Sequence, residues 1–354
     1  MKIDELIESI EPLDVAAMEA AWERQASLTK PAGSLGQLED ISVRMCGITG
    51  RDAVPAEAAI ILCAADHGVT GEAVSAYPSE VTGQMLLNFA AEGAAINVLA
   101  RHVGGRVVVV DVGTRADVDH SMILNRKVRA GTNNFARGPA MDRKEAEVAV
   151  LVGAEVAVSE IDAGANIVAT GDMGIGNTTA SSAMIAAFTG LPVLSLVGRG
   201  TGLDDAALEN KAEVIRRALD LNKPRPDDPI DVLSKVGGLE IGALAGVMLG
   251  CAAKRVPVVV DGFISGAAAL LAGRLCPLAV EYMFASHLSQ EPGHRVALQE
   301  LGLDPFLNLG MRLGEGTGAA LAIPVIQAAM KLLGQMATFE QAGVSRESEE
   351  SEVK

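Results

Sequence analysis

The stretch NIVATGDMGIGNTTASSAMIAAF at 166–188 decides how this chain is to be read. It opens with a short β-rich run, Asn166 to Thr170, turns through closely spaced glycines, and resumes at Thr178 with apolar residues at helical spacing to Phe188. A strand that feeds a helix through a glycine turn is half of a βαβ crossover, and such crossovers build parallel sheets.

Working outward, the same alternation recurs from Ala58 onward. Further strands are expected at Ala59–Ala64, Arg106–Val112, Pro192–Leu196, Val256–Asp261, Tyr282–Ser286 and Phe306–Leu309. Helices are expected at Val81–His102, Lys144–Ala163, Ala206–Leu219, Leu239–Lys254 and Gly316–Met336. The first fifty residues read as helical, with periodicity over Leu13–Gln25 and Leu35–Met45. The expectation is an α/β protein with a doubly wound, mostly parallel, Rossmann-like sheet and a smaller helical domain. Its divisions are N-terminal helices at 1–55, the α/β domain at 56–315, a C-terminal helical region at 316–343 that joins the small domain, and a disordered tail at 344–354.

Composition narrows the function. A net charge of −16 with no Lys/Arg cluster argues against a nucleic-acid partner, which draws on clustered cations. Cys46, Cys63, Cys251 and Cys276 are scattered and read as reduced core thiols. MKIDELIESI carries acids where a secretory signal needs a basic start, and the apolar runs are broken before the length of a membrane span. A cytoplasmic protein without a membrane helix is expected.

Ligands of open α/β sheets collect where strands end, and here the expected strands end in ADHG (65–68), DVG (111–113), GDMGIGN (171–177) and DGFISG (261–266). GDMGIGNTTASS lacks the Gly-Lys-Ser/Thr ending of a Walker loop and the third glycine of the dinucleotide fingerprint. Two readings stand: a phosphate cradle before a helix N-terminus, or a plain close turn. Glu315, framed by glycines in LGEGTGAALA (313–322), likewise has two. It is a carboxylate favoured at a helix start, or a base in an apolar pocket. VGRGTGLDD (197–205) is another glycine turn before a helix. Lys211 and Arg312 are either solvated cations or phosphate contacts brought in by the fold. His67 reads as structural, and His287 and His294 are too isolated for a metal site; no metal and no cofactor are expected.

LTKPAGSLGQLE (28–39), ADHGV (65–69), SAYPSEVTGQM (75–85), GDMGIGNTTASS, VGRGTG (197–202), DGFISGAAAL (261–270), SHLSQEPGH (286–294) and GMRLGEGTGAALA (310–322) follow one another over nearly the whole chain. In that order they resemble the nicotinate-nucleotide:dimethylbenzimidazole phosphoribosyltransferase family of cobalamin biosynthesis. The resemblance implies a metal-free displacement in which a benzimidazole nitrogen replaces nicotinate at C1′ of nicotinate mononucleotide, giving α-ribazole 5′-phosphate. It implies Glu315 as the catalytic base. Phosphate and ribose contacts would come from Asp172, Gly174, Gly176, Asn177, Gly200, Thr201, Lys211 and Arg312, and the acceptor pocket from Tyr77, Gln84 or Met85. Ser289 would reach the site from the other subunit of a homodimer. Some relatives carry glutamate where this chain has Asp172, and 75–85 varies among them, so the acceptor stays open among dimethylbenzimidazole, another benzimidazole, adenine or a phenol. Two other functions compete: a nicotinamide-dependent (NAD) dehydrogenase, suggested by the glycine turns, and a nucleotide-binding module without turnover.

Overall fold

A computed structural model describes residues 2–200, 202 and 204–345. Thr201 and, apart from residues 344 and 345, the tail expected at 344–354 lie outside the described residues.

Among the described residues, six strands form one sheet: β1 Ala58–Ala65, β2 Arg106–Gly113, β3 Ile123–Asn125, β4 Ile167–Met173, β5 Val258–Val260 and β6 Met283–Ala285. Their order is β3-β2-β1-β4-β5-β6, and every pairing is parallel. This is the doubly wound arrangement, with its reversal of winding between β1 and β4. Strand β1 is buried along its whole length, as a central parallel strand covered on both faces must be.

The chain divides into two compact units. One gathers the described residues of Met1–Pro12 and Ala56–Ile323 and contains the sheet. The other gathers Leu13–Pro55 with the described residues of Pro324–Lys354 and is helical. The first twelve residues, expected with the N-terminal helices, thus belong to the sheet-bearing unit. Leu6 and Ile10 are buried there, Tyr282 Oη donates to the Glu11 carbonyl at 2.7 Å, and Arg255 Nη1 donates to that of Pro12 at 3.0 Å. The C-terminal division falls inside the helix Thr317–Gln335, at Ile323/Pro324 rather than at 315/316. In the helical unit, Lys30 pairs with Glu39 at 2.8 Å, and Arg24 donates to the carbonyls of Leu333 and Met336.

Two expected strands are corrected. Residues 192–196 hold a 3-10 turn, Val193–Ser195; Val193 and Leu196 are buried and Leu194 is exposed, so the apolar residues pack from a turn rather than from a sheet strand. Of 306–309, only Leu307 makes a single bridge, to His287, and Leu309 is exposed. The helix expected over Val81–His102 is two helices, Glu80–Ala90 and Ala95–His102, separated where Glu92 takes a left-handed φ of 58°. Strand β3 and the helices Pro229–Val236, Phe263–Leu275 and Pro292–Leu301 were not delimited from sequence: the first and last of these helices are amphipathic but short, and Phe263–Ala272 is buried all round and shows no stripe. Among the described residues one helix, Thr317–Gln335, is long and apolar enough for a membrane span, where none was expected. More than half of its most apolar window is buried inside the protein, as in a core helix.

Candidate active site

A cavity of about 440 Å³ opens at the carboxyl ends of the strands. Strand β4 brings Asp172 and the turn Gly174–Thr178 to it, β5 delivers Gly262 to Ile264, and the segment after β6 brings His287, Ser289 and Glu291. Gly200, Arg312 to Glu315, and the apolar side chains of Val74, Tyr77, Val81 and Met85 complete the wall. A crevice outside the strand ends, beside the reversal of winding, is where such sheets bind ligands.

Glu315 sits in a backbone loop that few sequences tolerate. Gly314, Glu315 and Gly316 all have left-handed φ, 85°, 64° and 93°, and a non-glycine residue pays for that conformation in strain. The loop lies so close on β4 that a Cβ at Gly171 would stand 2.4 Å from the Glu315 carbonyl oxygen. Glu315 does not serve its own helix start. Asp261, just past β5, accepts from the amides of Gly316 at 3.2 Å and Ala319 at 2.9 Å and caps that helix instead. The Glu315 side chain lines the cavity, 7 % exposed, and its Oε2 accepts from the Ile96 amide at 3.3 Å, in the first turn of Ala95–His102. Burial raises its carboxyl above the ordinary glutamate range and the charge of Asp261 adds to this, while the Ile96 amide opposes it.

Asp172 is also buried in the cavity wall. Its Oδ2 accepts from Asn177 Nδ2 at 3.0 Å, and its Oδ1 has no hydrogen-bond partner among the described residues. Burial, then the charges of Asp261, Glu240 and Glu315, push it well above the ordinary aspartate range against the Asn177 donor. Gly176, with φ of 97°, makes the left-handed turn into the helix Asn177–Thr189, whose first residues face the cavity.

Of the two cations, Arg312 is exposed and donates to the Gly200 carbonyl at 3.0 Å. Lys211, read as solvated when taken alone, is wholly buried. Its Nζ donates to Thr178 Oγ1 at 2.9 Å and to the Gly198 carbonyl at 3.4 Å, so it reaches the cavity wall through Thr178. Burial lowers its pKa to about 8, with Glu291 opposing.

The structure therefore brings Glu315, Asp172, Gly174, Gly176, Asn177, Gly200, Arg312, Tyr77, Met85 and Ser289 around one space. Ser289, expected to serve a second subunit, lines the cavity of its own chain. Gln84 stays outside: Val81 and Met85, one turn apart, face the cavity, and Gln84 is exposed. His67 is buried in a 2.6 Å contact with Glu240. His287 lines the cavity with its Nδ1 3.0 Å from Ser286 Oγ. His294 accepts from the Ser289 amide, and burial lowers it to about 3. Sequence reading gave Thr178 only a helix start and assigned no role to Asp261 or Glu291. The strand-end position of Asp261 and the place of Thr178 after the glycine turn were usable signals, whereas nothing local marked Glu291.

Comparison with known proteins fixes the class. A family model described as phosphoribosyltransferase matches residues 10–344, and the chain belongs to that family of enzymes. A nicotinate-nucleotide–dimethylbenzimidazole phosphoribosyltransferase from Desulforudis audaxviator is 58 % identical over 342 residues, covering 96 % of this chain and 97 % of the relative. The enzyme of the same name from Chloroflexus aggregans is 57 % identical over 349 residues, covering 98 % and 99 %. The crystal structure of CobT from Thermus thermophilus superposes with a TM-score of 0.91 at 48 % identity, covering 94 % of this chain and all of that one. Within the phosphoribosyltransferases, this chain is a member of the nicotinate-nucleotide–dimethylbenzimidazole family. The dehydrogenase alternative finds no support in these relatives.

Proposed function

We propose that the protein transfers the 5-phosphoribosyl group of nicotinate mononucleotide to 5,6-dimethylbenzimidazole or a related base, releasing nicotinate and forming α-ribazole 5′-phosphate. The names of its relatives support the substrate pair, and the position of Glu315 in the cavity wall carries the chemistry. In this reading the turn Gly174–Asn177 and the loop at Gly200 hold phosphate and ribose, with Lys211 and Arg312 supplying positive charge. The apolar side chains of Val74, Tyr77, Val81 and Met85 face the acceptor ring.

The step is one displacement. A ring nitrogen of the acceptor forms a bond to C1′ as the bond from C1′ to the nicotinate nitrogen breaks, and the electron pair returns to the pyridinium, which leaves with that nitrogen neutral. The proton on the acceptor's other nitrogen passes to Glu315. A carboxylate whose proton affinity is raised by burial is a stronger base than one in water, provided the pH keeps it ionised. Positioned base catalysis contributes about 10²–10⁴ in rate, and alignment of the two reactants supplies more. A cytoplasmic homodimer belongs to the same proposal, and sedimentation at micromolar concentration decides the dimer.

The test is incubation of the protein with nicotinate mononucleotide and dimethylbenzimidazole. Stoichiometric release of nicotinate with formation of a ribazole phosphate is expected. Binding of both compounds without release would leave a nucleotide-binding module in place of the enzyme.

A further inference from the structure

Glu291 stands at the N-cap position of the helix Pro292–Leu301, yet its side chain makes no capping bond there. The carboxylate instead crosses to the Gly198–Gly200 loop. Its Oε1 accepts from the Gly200 amide at 2.9 Å, while its Oε2 is buried with no hydrogen-bond partner among the described residues. The seat exists because residue 198 lacks a side chain: a Cβ there would lie 2.0 Å from Oε2. Around this seat are the buried ammonium of Lys211, which donates to the Gly198 carbonyl, and Arg312, which donates to the Gly200 carbonyl. A cavity-facing amide with two cations close by is a site for an anion, and here the protein's own carboxylate fills it.

Room for that carboxylate to leave is also present. Glu291 lines the main cavity and, with Gly198, Arg199, Leu208 and Arg312, a second cavity of about 430 Å³.

We propose that Glu291 is a resident anion that occupies the phosphoryl seat at Gly200 in the unliganded protein, and that a phosphate-bearing ligand binds by displacing it toward the second cavity. The proposal rests on the reading of Gly200 as a phosphate contact. Its consequence is selective: the carboxylate weakens ligands in proportion to what they place at Gly200. A ligand with no phosphate has nothing to exchange.

The test compares the wild-type protein with Glu291→Gln by calorimetry, using inorganic phosphate, nicotinate mononucleotide and nicotinate riboside as probes. Removing the charge is expected to tighten both phosphate-bearing ligands about tenfold, equivalent to roughly 1.4 kcal/mol, and to leave the riboside within twofold. Gly198→Ala, which expels the carboxylate while keeping its charge, is expected to tighten the phosphate-bearing ligands in the same way, and it keeps the idea testable if the first variant folds poorly. Equal or weaker phosphate binding in both variants would overturn the proposal, as would parallel weakening of nucleotide and riboside, which would make Glu291 a ribose contact. Turnover by the wild-type protein is a separate measurement, so failure of the enzymatic reading and failure of this one are distinguishable.

Discussion

Strands β4 and β5 lie side by side and each brings a buried aspartate to its carboxyl end, Asp172 within β4 and Asp261 just past β5, but the two carboxylates are treated differently. Asp261 has both oxygens bonded to backbone amides at the start of Thr317–Gln335. Asp172 has one oxygen bonded to Asn177 and the other buried without a partner among the described residues. A satisfied carboxylate builds structure, whereas a half-satisfied one in a cavity wall destabilises the empty protein and leaves an atom for a ligand. Glu315 also lines the cavity: its loop is fixed by Asp261, and its Oε2 accepts one long bond, from the Ile96 amide.

The contrast is sharpened most by Glu315→Gln, which keeps shape and removes the proposed base. The expected loss in kcat is about 10²–10⁴-fold with nucleotide binding retained, read by steady-state kinetics beside equilibrium titration. In the wild-type enzyme activity should fall as pH drops through the raised pKa of Glu315, so the acid limb of kcat lies above that of an ordinary glutamate. Unchanged turnover would leave Glu315 with a structural role alone, accepting from the Ile96 amide at the start of Ala95–His102.

Asp261→Asn comes next. An amide in place of the carboxylate turns an NH₂ toward one of the donors it now satisfies, and each buried amide left unpaired costs about 1–3 kcal/mol. Urea unfolding should show a loss of that size, with kcat reduced through the loosened 314–316 loop. A variant as stable as the wild type would erase the distinction between the two aspartates.

Asp172→Asn should move stability the other way. A group whose folded pKa is raised contributes stability that is present below its unfolded pKa and is lost as pH rises through the folded value. Asparagine escapes that loss, so the variant should be the more stable, by a margin that grows as pH climbs above the ordinary aspartate range. Urea midpoints at acidic and mildly alkaline pH check it; a gap that shrinks with rising pH would refute it. The smallest effect is expected for Gln84→Ala, less than about twofold in kcat/KM, since the exposed Gln84 does not line the cavity.

Much of this was legible before any coordinates. Glycine turns after β-rich runs located the ligand edge of the sheet, because crossover handedness and strand direction leave one edge for binding. Three matters were not legible. Whether Met85 or Gln84 faces inward depends on helix phase, which a short apolar run does not fix. Lys211 looked solvated because its burial depends on the 197–200 segment folding over it, a contact that local spacing does not reveal. Pro192–Leu196 imitated a strand because a turn that buries Val193 and Leu196 has the same short apolar pattern as a core strand.

The wall formed by Val74, Tyr77, Val81 and Met85 belongs to the connection between β1 and β2, while Asp172, the 174–178 turn and Glu315 hang from later parts of the chain. The later side is packed atom against atom at Gly171 and Gly316, and the two sides are tied where the Ile175 amide donates to Thr82 Oγ1 at 3.1 Å and the Ile96 amide to Glu315. If the proposed function holds, a library aimed at new ring partners has its natural target in the cavity-lining residues Val74, Tyr77, Val81 and Met85, and their tolerance measures how independently recognition and chemistry can change.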